Sequence, residues 1–401
     1  MARVHSRRFA PGTPTDNLGL LTNLAGTWIG DGFNLIARPD FHDKTDLYLQ
    51  LNQTKEHLQF TAIGSPVPNR GFGQDDIDLF GLTYLQKISD AGEDGALHIE
   101  PGIWVTQPNT TFPADSAAAP AQLVARMGTI PHGNSLLAQG IAEPFRGPPV
   151  LTIPGSQYSF SHFPSFNSTP FGVPPTAPQP PGIVINAAGS SEKLTAPTVP
   201  AAPFPQYDLT VPVGPIPVGP LNPPFALNTR TPFDTNPPEP PLPVNINGVP
   251  MQDVINDPIL LLRKDIDNLV ASGHTFEGVA LNIATQTPVN FLTTPNSGAA
   301  GPRVAVALPQ FSGGIENIRF LDGTVVGGQP VENAETALVY ATFWIEKVTH
   351  AASHSVFWQL QYAQMVVLNF PIFHLLNGQP PAYVNLGWPH ISVATLRKSF
   401  G

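Results

Sequence analysis

Apolar and polar residues alternate over short runs through most of this chain, and the runs are broken by Gly, Pro and Asn/Asp clusters. In the first part the segments 33–36, 47–52, 56–63, 78–89, 98–106, 123–130 and 135–140 carry this two-residue period. Side chains of a strand point alternately to opposite faces, so the pattern predicts strands of an antiparallel meander. Turns are predicted at 66–71 (PVPNRG) and 90–95 (DAGEDG). Strands resume at 278–285, 304–308, 315–321, 337–348 and 356–370. One segment, 251–272, has a helical period instead: Ile259, Leu262, Ile266, Leu269 and Val270 share a face. Asn256-Asp257-Pro258 supplies its start and Ser272-Gly273 its stop.

The last strand, within 386–398, has two unequal faces. Ile391, Val393 and Thr395 form one; His390, Ser392, Ala394 and Leu396 form the other. A closed sheet keeps an interior hollow only if its inward residues leave room, and Ser392 and Ala394 are small. An imidazole at the mouth of such a hollow suits a metal or haem iron. The competing reading is a strand-end histidine bonded to a loop.

Between about residues 144 and 250 the composition changes. More than half of the 48 prolines fall here and charges almost vanish. Proline lacks the ladder donor, so extended coil replaces sheet. Regular aromatics, among them Tyr158, Phe163, Phe204 and Phe225, predict an ordered wrap on the barrel or on a neighbouring subunit, hence a homo-oligomer.

With 12% charged residues and a net charge of -10, no phosphate-neutralising surface is available, which excludes nucleic acid. No apolar run approaches the ~20 residues of a membrane span, so the sequence predicts a soluble, cytoplasmic protein. Arg3, Arg7 and Arg8 are read as part of a short arm without regular structure. Zero cysteines remove thiolate metal sites and cysteine nucleophiles. Asp75, Asp76 and Asp78 lack the glycine and closing glutamate of a calcium loop, and no GxSxG, HExxH or phosphate-loop pattern occurs.

Four pieces together resemble the nitrobindin family of haem-binding β-barrels, related in shape to fatty-acid-binding proteins. They are Gly26-Thr-Trp-Ile-Gly-Asp-Gly32, Leu97-His-Ile-Glu-Pro-Gly-Ile-Trp104, Ile130-Pro-His-Gly133 and His390-Ile-Ser-Val-Ala-Thr-Leu-Arg397. The third has His and Pro transposed relative to the family. The resemblance covers about residues 18–145 and 275–401. It implies an all-β, lipocalin-like single antiparallel barrel of about ten strands, with His390 as proximal ligand of haem b. Nitric oxide binding, peroxynitrite isomerisation or peroxidase-like turnover is the implied activity. The chain then divides into an arm (1–17), the first part of the barrel (18–145), a proline-rich insertion (146–274, helix about 256–272) and the second part (275–401). A two-barrel arrangement is the alternative.

On this reading His390, with Trp388, Ser392 and Ala394, lines the cofactor site, and His98, Glu100 and His132 form the opposing wall. His98 and Glu100 share a strand face, where the carboxylate orients the imidazole or assists proton transfer; the competing reading is an exposed pair. His132 competes with a plain turn residue. Trp28 is read as the plug of the closed end, with Arg397 stacked on its indole. His350, His354 and His374 are read as turn or loop residues. Two further functions compete: a metal-free carrier of an apolar small molecule, and an assembly protein acting through its proline-rich wrap.

Overall fold

A computed structural model describes residues 15, 17–40, 45–69, 77–106, 122–130, 134–152, 182–185, 191–195, 243–285, 315–317, 322–326, 329–332, 335–374 and 382–399, and the following concerns those. Ten strands carry the architecture: β1 (Gly26–Asp40), β2 (Thr45–Ala62), β3 (Ile77–Asp90), β4 (Ala96–Thr106), β5 (Gln122–Ile130), β6 (Asn134–Arg146), β7 (His274–Ala284), β8 (Glu335–His350), β9 (Val356–His374) and β10 (Ala382–Ser399). Each pairs antiparallel with the next, and β10 pairs with β1, Thr27 opposite Ser399 through Ile36 opposite His390. The result is a single closed up-and-down barrel, with no free edge among these ten. The two halves of the sequence therefore close on each other: β7 lies beside β6, Glu277 opposite Arg146, across the insertion between them.

Alternation decides which side chains go inward. On β1 Trp28 and Asn34 face in, whereas Phe33 and Leu35 face out; on β10 Ala394 and Leu396 face in, whereas Ile391 and Val393 face out. One end is filled by Trp28, Leu58, Leu82, Trp104, Leu281, Phe343, Leu360 and Leu396. A 3-10 helix, Gly19–Leu24, closes it with Leu21 and Leu24, and Trp28 Nε1 donates to the Leu24 carbonyl at 2.8 Å. Trp28 is thus the plug that its motif suggests, but its cationic partner is Lys398, whose Nζ lies 5.1 Å from the indole. Arg397 has the opposite parity; it points outward and stacks on Phe357 at 3.8 Å.

The predicted helix is two: α1 (Met251–Asn256) and α2 (Ile259–Ala271), broken at Asp257-Pro258 because proline cannot continue the first ladder. Gly273 ends α2 at φ +82°, a conformation glycine adopts without steric cost. Ile259, Leu262 and Ile266 of α2 pack on the outward Trp344, Val348, Ala363 and Ile391. The outer wall of β8–β9–β10–β1 is therefore as apolar as the inner one, which is why those strands show apolar residues in both phases.

His374 ends β9 rather than lying in a loop. His350 likewise ends β8 rather than lying in the turn, and its Nδ1 bonds Ser353 of the turn that follows. The strand predicted at 304–308, residues 70–76 and most of the proline-rich segment lie outside the described residues. Among the described residues no helix is long and apolar enough to cross a membrane.

Candidate functional site

The interior changes character one layer above the apolar plug. Glu56 on β2, Gln86 on β3, Glu100 on β4, Arg126 on β5 and Tyr362 on β9 all face inward and are buried. Burial by itself pushes the Glu100 carboxyl up, but the Arg126 guanidinium, 2.7 Å away, with hydrogen bonds from His98 and Tyr84, outweighs it and holds Glu100 at about 2. Arg126 Nε donates to Tyr84 Oη at 3.0 Å and its Nη1 to Gln364 Oε1 at 2.7 Å; Tyr84 in turn donates to Glu100. Glu56 has no such cation among the described residues. Burial raises it to about 7, although Tyr362 (2.7 and 2.8 Å), Gln86 (3.3 Å) and Thr54 (3.2 Å) all donate to it. These residues form a polar floor across the barrel.

The floor occupies the room that small inward residues leave. A Cβ on Gly32 would meet Glu56 and Thr54, one on Gly102 the Tyr84 ring, and one on Gly128 both Glu100 and Tyr84. The expectation that small inward residues keep a hollow therefore fails at this level: Ala394, 1% exposed, belongs to the filled half. Above the floor the inward side chains are partly open. The His98 side chain is 17% exposed and His390, Asn52 and Gln364 are half-buried, whereas Ser392 at 7% is still buried. Among the described residues the barrel interior is thus solid below and only partly buried above, a cup in outline.

Register places the two interior histidines on that cup. Following the pairings round the barrel gives a stagger of about twelve residues per circuit. With that stagger His98, four strands round from β10, stands within about one residue of the level of His390. In a ten-strand barrel their Cα atoms are then roughly 18 Å apart across the interior. Glu100 lies one layer lower and pairs with His98 Nε2 at 3.3 Å. The exposed His–Glu pair is thereby replaced by an interior one: Glu100 is wholly buried.

Of the residues singled out in sequence, His98, Glu100, His390 and Ser392 converge on the cup, and Ala394 lies in its base. His132 lies outside the described residues, and of Trp388 only the backbone is described, in β10. Sequence reasoning missed Glu56, Tyr84, Gln86, Arg126 and Tyr362. The signal was present: in Thr54-Lys-Glu-His-Leu-Gln-Phe60 the glutamate shares its phase with Leu58 and Phe60, which puts a carboxylate on the apolar face. Among the described residues no cluster of three His, Cys, Asp or Glu that could hold a metal ion is found. Haem requires only one protein nitrogen, and the half-buried inward imidazole of His390 is chemically suited to it.

No family model matches the chain, and no curated protein matches it. Among solved structures, the crystal structure of Rv2717c from M. tuberculosis aligns over 95% of each chain, at 10% identity and a TM-score of 0.30, a likeness too slight to carry an assignment of ligand or activity.

Proposed function

We propose that the open half of the barrel binds haem b through His390, in keeping with the resemblance of 26–32, 97–104 and 390–397 to the nitrobindin family. The observation that carries the reading is the placement of His390 and His98 at about one level on facing walls. His390 would hold the haem, which when bound would supply an iron able to take nitric oxide, peroxynitrite or a peroxide. The protein contributes orientation and charge. Arg126 keeps Glu100 ionised, and Glu100 fixes the His98 ring through Nε2, so that the imidazole faces the ligand side as a proton donor or acceptor. The polar floor stops a flat macrocycle from sinking into the plug.

The test is optical. The purified protein supplied with haem should show a Soret band that His390→Ala abolishes, whereas His98→Ala should keep the band and change the rate of peroxide or peroxynitrite consumption. Absence of a Soret band, or a band unchanged in His390→Ala, overturns the reading.

A second reading, a metal-free carrier of an apolar small molecule with a polar end, is favoured by a different observation: Asn34, buried in the row just below His390, has an amide oxygen without a partner among the described residues, which a ligand's donor would match.

A further inference from the structure

One row of paired residues crosses three strands just above the floor: Gln364 on β9, Ser392 on β10 and Asn34 on β1 stand opposite one another, and the row continues to Asn52 on β2. All four have the inward parity. Two of them are already engaged or oriented. Asn52 accepts from Gln50 and donates to Asp90. Arg126 holds the carbonyl of Gln364, so the Gln364 Nε2 donor is the end left for the hollow. Asn34 is different. It is 3% exposed, and its Oδ1 has no hydrogen-bond partner among the described residues. A buried amide left unmatched costs about 1–3 kcal/mol unless something fills the role.

The complement can be specified. Asn34 Oδ1 asks for a donor, while Ser392 Oγ and Gln364 Nε2 offer donors, so the fitting group both gives and accepts hydrogen bonds. It is also uncharged. Glu100 is already matched by Arg126, and both Glu56 oxygens already accept from Tyr362, Gln86 and Thr54. A further carboxylate would meet Glu56 without a cation of its own, and an ammonium would find no carboxylate oxygen in want of a donor. In the next inward row above the ledge, Val366 on β9 and Ile36 on β1 flank His390 and give that side of the wall two apolar side chains.

We propose that the ledge Gln364–Ser392–Asn34 is the head-group site for an apolar molecule that ends in a hydroxyl or carboxamide, seated head-down in the cup. This rests on the carrier reading and names its ligand class. Asn34 acts as the selector, because a site built to pair a hydroxyl rejects the analogue that leaves its own group unmatched.

The experiment is calorimetric titration of the haem-free, full-length protein with 1-decanol, decanamide, decanoate and decylamine at neutral pH. Decanol and decanamide should bind more tightly than the two charged homologues by about tenfold or more, and Asn34→Leu should erase that preference. Thermal melts check that Asn34→Leu is folded; Ser392→Ala, a smaller change, serves if it is not and should weaken the preference in the same direction. Equal affinity for all four probes overturns the ledge and leaves the carrier reading standing. Failure of every probe to bind overturns both. Tighter binding of decanoate or decylamine, or a preference that survives both substitutions, overturns the ledge alone.

Discussion

Two buried glutamates, one on the inner and one on the outer face of the barrel sheet, have opposite electrostatic fates. Glu100, inside, is wholly buried beside Arg126 and is held at about 2, against an ordinary value of 4.5. Glu346, on the outer face of β8 beneath α2, is equally buried and is pushed up to about 8. Burial raises both. The outer site has only a hydrogen bond from Gln359 Nε2 at 2.7 Å and the more distant Arg397 to oppose it, while Asp265 on α2 adds to it. Burial sets the cost of a charge, and a contacting guanidinium decides whether the charge survives. The Glu100–Arg126 pair of the inner layer is therefore ionic at neutral pH, whereas the outer cluster carries a carboxyl that stays protonated until mildly alkaline pH. Glu346 Oε1, Gln359 Oε1 and Gln361 Oε1 lack partners among the described residues, in keeping with a site that is not charge-matched.

The sharpest way to break this contrast is Arg126→Met. It leaves Glu100 buried without its cation, and stability to urea should fall by about 3–5 kcal/mol. The pH dependence should also change sign at this residue. In the native protein the contribution of Glu100 is present above 4.5 and lost as pH falls toward 2. In the variant its carboxyl is raised, so stability should fall as pH rises through neutrality.

Glu346→Gln tests the other side. Because its folded-state value is about 8, the protonated carboxyl stabilises below 4.5, and this is lost as pH rises toward 8. The variant should match the parent at pH 5 and exceed it by about 2–3 kcal/mol at pH 9 in the same urea titration. No change at pH 9 would mean that Glu346 reaches solvent.

A smaller effect separates a glycine of the inner layer from one at the surface. Gly128→Ala drives a methyl group into Glu100 and the Tyr84 hydroxyl and should cost about 1–3 kcal/mol in thermal melts. Gly95→Ala, which meets nothing within 4 Å, should stay within about 0.5 kcal/mol of the parent.

How much of this was legible varies by residue. The inward phase of His390, Ser392 and Ala394 followed from alternation alone, as did the common face of His98 and Glu100. The strands in 47–63 and 78–89 were recognisable because much of their polar phase faces solvent, Lys55, Gln59, Thr83 and Lys87 being exposed; in β4 the phases are reversed, with Ile99 and Ile103 exposed outside and Glu100 buried inside. In β8 and β9 the outer phase is covered by α2, and mixed residues such as Gln359 and Gln361 gave no indication of which face was core. Arg397 was assigned to Trp28 from its place near the end of the chain; one residue of parity sends it outside and brings Lys398 in.

Local pattern thus determined a great deal: an all-β chain, the strands of the two flanks, the outward helix, and the faces on which the site histidines lie. Those properties depend on a period of two or of 3.6 residues, and a period is a property of neighbours along the chain. Tertiary structure alone decided that the two flanks close into one barrel and that Arg126 meets Glu100 across adjacent strands. It also decided that the hollow is confined to one half, and that Asn34 is left with an unmatched oxygen. Each of these depends on register and stagger between strands distant in sequence. Closure distributes those offsets round the whole circuit, so no single segment contains them.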